Sequence, residues 1–275
     1  MASSMIDELI HPTAIISQDA ELAPDVVVGP YAVIEGPVRV GSGSVIEGHA
    51  CLTGPMTMGR RNTVGHAAVL GKAPQHRGYR GEETELRIGD DNVFREFVTV
   101  HRGTPQGGGV TRIGNNNMFM IGSHLGHDAT VGDGCTLVNN ALVAGHVELG
   151  DGCILSGHSA VQQRVRVGRL AMLGGLGSTS KDVPPFLLQQ GYNCVSGLNL
   201  VGLRRAGVGS EAIERLRTLY RMVYKEARAL SLALEHAETH LMGDCPLVRE
   251  WIQFVRASKL GINPARTSKR HNRTF

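Results

Sequence analysis

The segment 125-LGHDATVGDGCTLVNNALVAGHVELGDGC-153 repeats one short pattern of side chains from end to end. An aliphatic residue returns at every sixth position, glycine commonly follows it, and the side chain four positions after it is usually small. A period of six fits neither an amphipathic helix nor a strand of alternating side chains. It is typical of a parallel β-helix, in which each six-residue unit forms one wall of a triangular coil and eighteen residues complete a turn.

The same register extends far beyond this segment and is broken only by two insertions, 72–87 and 101–112. Stacked coils of a β-helix repeat at roughly 4.8 Å, the spacing of neighbouring strands. We therefore predict a β-helix over residues 1–190, with the first insertion projecting from the coil over the cleft of a neighbouring subunit. The predicted inward-facing series is Ile10, Ile16, Leu22, Val28, Ile34, Val40, Ile46, Leu52, Met58, Val64, Leu70, Ile88, Phe94, Val100, Ile113, Phe119, Leu125, Val131, Leu137, Val143, Leu149, Leu155, Val161, Val167 and Leu173.

A helical periodicity replaces the six-residue pattern after 183-VPPF-186. Ser210 is a plausible N-cap for an amphipathic helix, and Pro246 is expected to begin another. Residues 191–275 are thus predicted to form a small C-terminal α-helical domain that ends in the basic tail 266-RTSKRHNRTF-275. The predicted fold class is an all-β parallel β-helix with this helical domain attached.

Composition argues against several classes of function. No basic region followed by an apolar run begins the chain, and nothing approaches the roughly 18 apolar residues of a membrane span. The net charge is only +3, part of it in the tail, so nucleic acid is not a predicted partner. The five cysteines form no CxxC pair and are interpreted as reduced thiols of a cytoplasmic protein, with Cys135 and Cys153 stacked in the core.

The repeat also assigns a direction to the histidines. His127 is the third residue of the unit that begins at Leu125, so its side chain should point outward from the coil. Gly145 and Gln163 follow it at intervals of eighteen residues and belong to the same outward-facing column. The sequence therefore predicts a polar strip on the outside of the coil that contains His124, His127, Gly145, His146, Gln162 and Gln163.

Three interpretations of this strip remain open. It could be a solvated face, or a zinc site in which His124, His127 and His146 converge with an open fourth position. It could also be an acid/base site, because histidine is the natural base near neutral pH. Asp128 would then orient the imidazole, and the exposed N–H of Gly145 would receive a developing oxyanion. The third interpretation is favoured because Asp128 and Gly145 have no part in a zinc site.

Six motifs carry a resemblance to a known family, the UDP-N-acetylglucosamine O-acyltransferases, and it covers nearly the whole chain. It implies a left-handed β-helix and a homotrimer with active sites between subunits. It further implies transfer of a 3-hydroxyacyl group from acyl carrier protein to the 3-hydroxyl of UDP-N-acetylglucosamine in lipid A biosynthesis, with no cofactor or metal. The motifs are KAPQ (72–75), REFVTVHRGTPQGGG (95–109), HLGHDATVGDGC (124–135), NNALVAGHV (139–147), DVPPF (182–186) and GLRRAG (202–207).

The resemblance also assigns roles to single residues. His127 resembles the family's general base, Asp128 the carboxylate beside it, and the Gly145 N–H the oxyanion donor. Gly175 stands where the family measures acyl length, and a glycine there leaves room for a long chain. The positions that resemble substrate-binding residues are Gln75, His101, His124, His146, Gln163, Asn199 and Arg205.

Five positions depart from the family pattern. His76 and Gly78 stand in place of an aspartate and a lysine, Gln162 in place of a histidine, Val201 in place of an acidic residue and Ala206 in place of a basic one. All five fall on groups expected to hold the nucleotide sugar. We therefore expect acyl transfer to be retained, with another UDP-sugar or a 3-amino sugar as an alternative acceptor. A zinc-dependent hydratase and a non-catalytic trimeric binding protein are the alternatives from other classes.

Overall fold

The computed structural model describes residues 9–226 and 229–265, so the predicted basic tail lies outside the described residues. Three sheets of parallel strands run along the coil, and each turn adds one short strand to each sheet. Paired residues in successive turns are eighteen apart, as for Ile15 with Val33 and Val33 with Cys51. The chain is a left-handed parallel β-helix with a small helical C-terminus, as expected.

The strands are short because each wall of the coil is only one six-residue unit long. The first sheet contains Ile15–Ile16, Val33–Glu35, Cys51–Thr53, Val69–Lys72, Thr99–His101, His124–Leu125, Leu142–Val143, Ala160–Val161 and Ser178–Thr179. The second contains Glu21–Leu22, Val38–Val40, Met56–Met58, Glu85–Ile88, Val110–Ile113, Thr130–Val131, Glu148–Leu149 and Arg166–Val167. The third contains Val27–Val28, Val45–Ile46, Thr63–Val64, Val93–Phe94, Met118–Phe119, Thr136–Leu137, Ile154–Leu155, Met172–Leu173, Leu187–Gln189 and Val195–Leu198.

The predicted inward-facing series forms the core of the coil. From Val28 to Leu173 every member is at most 5% exposed. Ile10 is an exception at 44% exposure, and Ile16 and Leu22 are only half-buried. These three lie in the first turn, against which the described residues stack from one side only. Burial of each large aliphatic side chain contributes about 1.5–3 kcal/mol to folding, so this series is a main source of the stability of the coil.

The two internal cysteines stack in this core as predicted. Cys135 and Cys153 are 1% and 0% exposed. Each thiol lies near the backbone carbonyl oxygen of a following coil, 3.2 Å for Cys135 to Gly150 and 3.1 Å for Cys153 to Gly168. Burial raises the pKa of the Cys153 thiol, and all five cysteines are free.

Both insertions are shorter than predicted, because strands extend into them. The first loop occupies residues 73–84, between Lys72 and Glu85. The second includes a 3₁₀ helix at Pro105–Gly107, capped by the side chain of Thr104, which accepts a hydrogen bond from the Gly107 N–H. The coil resumes its register after each loop: Val69 pairs with Thr99, and Thr99 with His124.

The C-terminal region contains helices α1 (Leu200–Arg205), α2 (Ser210–Tyr224), α3 (Leu230–His240) and α4 (Pro246–Arg256). Pro246 begins α4 as predicted, but the N-cap of α2 is Gly209, so Ser210 is its first helical residue. The sheet continues past the predicted boundary at residue 190, because Val195–Leu198 pairs antiparallel with Leu187–Gln189. Within the described ranges, no helix is both long enough and apolar enough to cross a membrane.

Candidate active site

A cavity of about 750 Å³ lies on the outer face of the first sheet, beneath the first insertion loop. Six predicted site residues line it: Gln75, His101, His124, His127, Gly145 and Gln163. The loop contributes Gln75, His76 and Arg77 to the cavity of its own coil. The expected contact of this loop with a neighbouring subunit stays a prediction.

His127 and Asp128 form a hydrogen-bonded pair at the edge of this cavity. His127 Nδ1 lies 2.6 Å from Asp128 Oδ2, so the ring donates from Nδ1 and keeps a free lone pair on Nε2. The histidine lies outside the coil as predicted, yet it is only 7% exposed. The outward-facing strip is therefore not simply solvated, because the insertion loops cover this part of it.

The corner geometry of the coil holds the carboxylate in place. Asp128, His146 and Arg164 follow one another at intervals of eighteen residues with φ of 61°, 60° and 67°. Aspartate and histidine are among the non-glycine residues found most often in this left-handed region. The corner brings His146 Nε2 to 3.5 Å from Asp128 Oδ2, and the His146 ring packs edge-on against His127.

Thr104 is a site residue that sequence reasoning missed. Its backbone N–H donates to Asp128 Oδ1 at 2.7 Å, and its hydroxyl donates to Asp128 Oδ2 at 2.7 Å. Gly107 lies so close that a Cβ there would fall 2.0 Å from Asp128 Cγ. The second insertion therefore fixes the position of the Asp128 carboxylate, which orients His127, by hydrogen bonds and close packing. The Thr–Pro pair at 104–105, an N-cap followed by proline, was the available signal.

Arg102 is a second residue that the sequence did not single out. Its guanidinium donates to the carbonyl oxygens of Gly54 and Gly71 at 3.0 and 3.1 Å and to the Tyr79 hydroxyl at 3.1 Å. Tyr79 in turn donates to the carbonyl of Glu82 at 2.7 Å. These contacts tie the first insertion loop to the coil, so the residues that reach the cavity are held on an anchored segment.

Gly145 lies directly under the imidazole of the pair. A Cβ on Gly145 would lie 2.8 Å from His127 Cε1 and 2.9 Å from Nε2. A glycine is thus required here by the position of the ring. The Gly145 N–H has no hydrogen-bond acceptor among the described residues, and the residue borders the cavity. A backbone donor left without an acceptor beside the imidazole is the arrangement that an oxyanion requires.

Three other imidazoles near the pair, those of His101, His124 and His146, have lowered pKa values, which favours their neutral form. Burial lowers the pKa of His124 to about 4, and the neighbouring histidines add to the effect. Burial also lowers the pKa of His101 and of His146. His124 Nδ1 hydrogen-bonds the Thr99 hydroxyl at 2.8 Å. Neutral rings can hydrogen-bond a substrate, but they add no positive charge to the cavity.

We expect the depressed pKa of His124 to make the fold acid-sensitive. The unfolded imidazole binds a proton near pH 6.5 and the folded one near pH 4. Between these values the unfolded state binds more protons, so stability falls as the pH falls; above 6.5 the effect is absent. The loss of Tm between about pH 7 and about pH 5 should be a few degrees smaller in His124→Asn. The exposed control His49→Asn should match the unmodified chain, and an equal loss in His124→Asn would contradict the prediction.

Five predicted site residues lie outside the lining of this cavity: Asp128, His146, Asn199, Arg205 and Gly175. Asp128 and His146 border a second cavity instead. Asn199 is 5% exposed, and its side-chain amide makes two hydrogen bonds within the chain. It accepts from the Gly202 N–H and donates to the Leu170 carbonyl oxygen. Within this chain the amide therefore caps α1, and its predicted role in binding stays a prediction. Arg205 is exposed at the end of α1, and Gly175 is exposed on the coil. Their predicted roles stay predictions.

Four of the five departures from the family pattern divide between the cavity and α1, and the fifth, Gly78, lies in the first insertion loop. His76 and Gln162 line the cavity. Val201 and Ala206 are exposed at α1, with Ala206 as its C-cap. Only the first two are placed to contact a ligand in the cavity of this chain.

A metal could in principle be held by His127, Asp128 and His146, whose ligand atoms lie within 4.8 Å of one another. Two ligands bound to one zinc ion at 2.0–2.1 Å in tetrahedral geometry are about 3.3 Å apart. The 2.6 Å between His127 Nδ1 and Asp128 Oδ2 is instead a hydrogen-bond distance. His124, the third ligand of the predicted zinc alternative, is not in this group. The geometry therefore favours the acid/base interpretation.

The fold and site together define a hexapeptide-repeat acyltransferase. Residues 111–145 match the model of the bacterial transferase hexapeptide family, and residues 182–263 match that of domain 2 of UDP N-acetylglucosamine O-acyltransferase. The chain belongs to the UDP-N-acetylglucosamine O-acyltransferase family, because similarity to solved members extends over nearly its whole length.

Three solved structures illustrate this similarity. UDP-N-acetylglucosamine O-acyltransferase (LpxA) from Moraxella catarrhalis is 37% identical with a TM-score of 0.90, over 93% of this chain and 100% of that one. LpxA from Acinetobacter baumannii is 35% identical with a TM-score of 0.90, over 93% and 99%. The UDP-N-acetylglucosamine acyltransferase LpxA from Bacteroides fragilis is 36% identical with a TM-score of 0.88, over 92% and 98%.

Proposed function

We propose that this chain transfers a 3-hydroxyacyl group from acyl carrier protein to the 3-hydroxyl of UDP-N-acetylglucosamine. The observation that carries the proposal is the His127–Asp128 pair, whose free Nε2 borders a cavity together with an unpaired backbone N–H. The family relationship supports the substrate class. The chemistry requires no metal or cofactor beyond the carrier thioester.

The mechanism follows from the positions of three groups. His127 Nε2 takes the proton of the acceptor hydroxyl as its oxygen attacks the thioester carbonyl, an effect typically worth about 10²–10⁴ in rate. The carbonyl oxygen gains negative charge, which the Gly145 N–H stabilises. The intermediate then collapses to the ester, and the carrier's thiolate leaves and receives the proton from the His127 imidazolium. Asp128 keeps the ring in the required tautomer throughout.

Assembly, acyl length and location belong to the same proposal. We expect a cyclic homotrimer, because the cavity on an outer face needs a second wall to enclose a substrate. Gly175 leaves room for a long acyl chain, since a Cβ there would meet only the Gly157 carbonyl oxygen at 3.6 Å. The enzyme would act in the cytoplasm as part of lipid A biosynthesis.

The test offers the purified protein a set of 3-hydroxyacyl carrier proteins of several chain lengths, each paired with a panel of UDP-sugars. Mass spectrometry should detect O-acylated UDP-N-acetylglucosamine. Binding of the sugar without any product would identify a binding protein instead. Activity that a chelator abolishes and zinc restores would favour the hydratase alternative.

A further inference from the structure

The hydroxyl of Thr104 belongs to a directed chain of hydrogen bonds that ends on the carboxylate beside the proposed base. The Gly107 N–H donates to Thr104 Oγ1 at 3.2 Å, and Thr104 Oγ1 donates to Asp128 Oδ2 at 2.7 Å. His127 Nδ1 lies 2.6 Å from the same oxygen. An ionised carboxylate can only accept, so the hydroxyl and the imidazole both direct a proton at Oδ2. Because donors in such a chain polarise one another, the hydroxyl is a stronger donor here than an isolated one.

The Asp128 carboxylate is a buried charge that hydrogen-bond donors compensate in place of solvent. Its side chain is 0% exposed. Within the part of the chain that the structure describes, it forms ion pairs with two histidines and with no arginine or lysine. A buried charge is strongly unfavourable unless donors replace the lost water. Thr104 supplies two such donors, its backbone N–H on Oδ1 and its hydroxyl on Oδ2.

The two contacts of Thr104 have separable effects. The backbone N–H reaches Oδ1 whatever the side chain is, and the close approach of Gly107 also restrains the carboxylate. The hydroxyl instead shares Oδ2 with the imidazole of His127. Without the hydroxyl, Oδ2 keeps one close donor, and the carboxylate can turn away from the ring. His127 Nδ1 then loses its acceptor, so the ring can carry its proton on Nε2, where it cannot act as a base.

We propose that Thr104 is a positioning residue for the chemical step, whose hydroxyl holds Asp128 Oδ2 where it keeps the proton of His127 on Nδ1. The inference rests on the proposed function and adds a third residue to the pair that carries it. Thr104 is 1% exposed and does not line the cavity, so it does not contact a substrate there. Its effect should therefore appear in kcat and not in KM.

The experiment compares Thr104→Val, which has nearly the same shape without the hydroxyl, with Thr104→Ser, which keeps the hydroxyl. The substrates are a 3-hydroxyacyl carrier protein and UDP-N-acetylglucosamine. In Thr104→Val kcat should fall about 10–100-fold, the effect of losing one hydrogen bond to a charged group. KM should change by less than about threefold, and Thr104→Ser should keep kcat within about threefold of normal.

Thr111→Val is the matched control for the loss of a buried hydroxyl. Thr111 is 0% exposed, and its Oγ1 accepts from the Asp128 backbone N–H at 2.8 Å instead of contacting the carboxylate. The control should lower Tm, as Thr104→Val does, yet keep kcat within about threefold of normal. Equal losses of kcat in the two valine variants would show a merely structural role and would overturn the inference.

A double variant shows whether Thr104 acts through the carboxylate. Asp128→Asn removes the charge and should itself lower kcat. Adding Thr104→Val to Asp128→Asn should then cause less than about a threefold further loss, because the two changes act on one interaction. A further loss of about 10–100-fold would place the effect of the hydroxyl elsewhere and would count against the inference.

NMR of the imidazole nitrogens reads the tautomer of His127 without turnover, with His127→Ala to assign the signals. The proton should be on Nδ1 in the unmodified chain and in Thr104→Ser, whereas a measurable fraction of the rings should carry it on Nε2 in Thr104→Val. An unchanged tautomer in Thr104→Val would overturn the inference, whatever the value of kcat. Absence of acyl transfer by the unmodified chain would contradict the proposed function, and the tautomer would still decide the role of Thr104.

Discussion

Replacing His127 with alanine should lower kcat/KM for acyl transfer about 10³-fold while leaving the coil folded. Of the pair, the imidazole presents a free lone pair to the cavity, because the Asp128 carboxylate is fully buried and holds hydrogen bonds from Thr104. Single-turnover transfer should fall by the same factor, since the loss is in the chemical step. The exposed control His49→Asn should keep full activity.

The same variant also tests whether the loss is chemical or structural. His127 is almost fully buried, so its removal leaves a space above Gly145 and should lower Tm by a few degrees, more than the removal of an exposed side chain would. That space can admit free imidazole, which should restore part of the activity of His127→Ala and none to the control. Near-normal transfer by His127→Ala would refute the assignment of the base.

Gly145→Ala should lower kcat/KM about 10²–10³-fold, although it retains the backbone N–H. The added Cβ would lie 2.8–2.9 Å from two atoms of the His127 ring, so the ring must turn or move away from the cavity. Gly157→Ala is the matched control, because a Cβ there meets nothing closer than 3.6 Å. Its activity should stay within about threefold of normal.

A double variant separates the two roles of this glycine. If Gly145→Ala acts by displacing His127, adding it to His127→Ala should cause little further loss. A further loss of about 10²-fold would place the effect on the oxyanion donor instead. Activity of Gly145→Ala equal to that of Gly157→Ala would contradict the observed stacking of the ring on this glycine.

The coil was predictable because one local rule is repeated many times. Each aliphatic position such as Leu125 or Val143 repeats the same constraint, so a single irregular unit does not alter the register. The rule fails at the ends, where Ile10 is exposed for lack of a neighbouring turn on both sides among the described residues. The rule does not extend to the helices, where the N-cap of α2 was expected at Ser210 and is Gly209.

The sequence predicts the positions of the site residues that belong to the six-residue repeat, and not of those that belong to the loops. The directions of His127 and Gly145 follow from the repeat, and the structure places both at the cavity. Thr104 and Arg102 could not be placed, because each acts through a loop whose path has no period. The burial of His127 was missed for the same reason: the loops that cover it are remote in sequence. The capping role of Asn199 was also missed, because the six-residue repeat ends before α1.

The return of the coil to its register after each insertion has an evolutionary consequence. His127, Asp128 and Gly145 belong to the repeat, whereas Gln75, His76 and Gly78 belong to a loop between Lys72 and Glu85. A loop of another length or sequence could connect those two strands without changing the path or the register of the coil. The residues that this loop brings to the cavity can therefore change between lineages while the positions of His127, Asp128 and Gly145 in the coil stay the same.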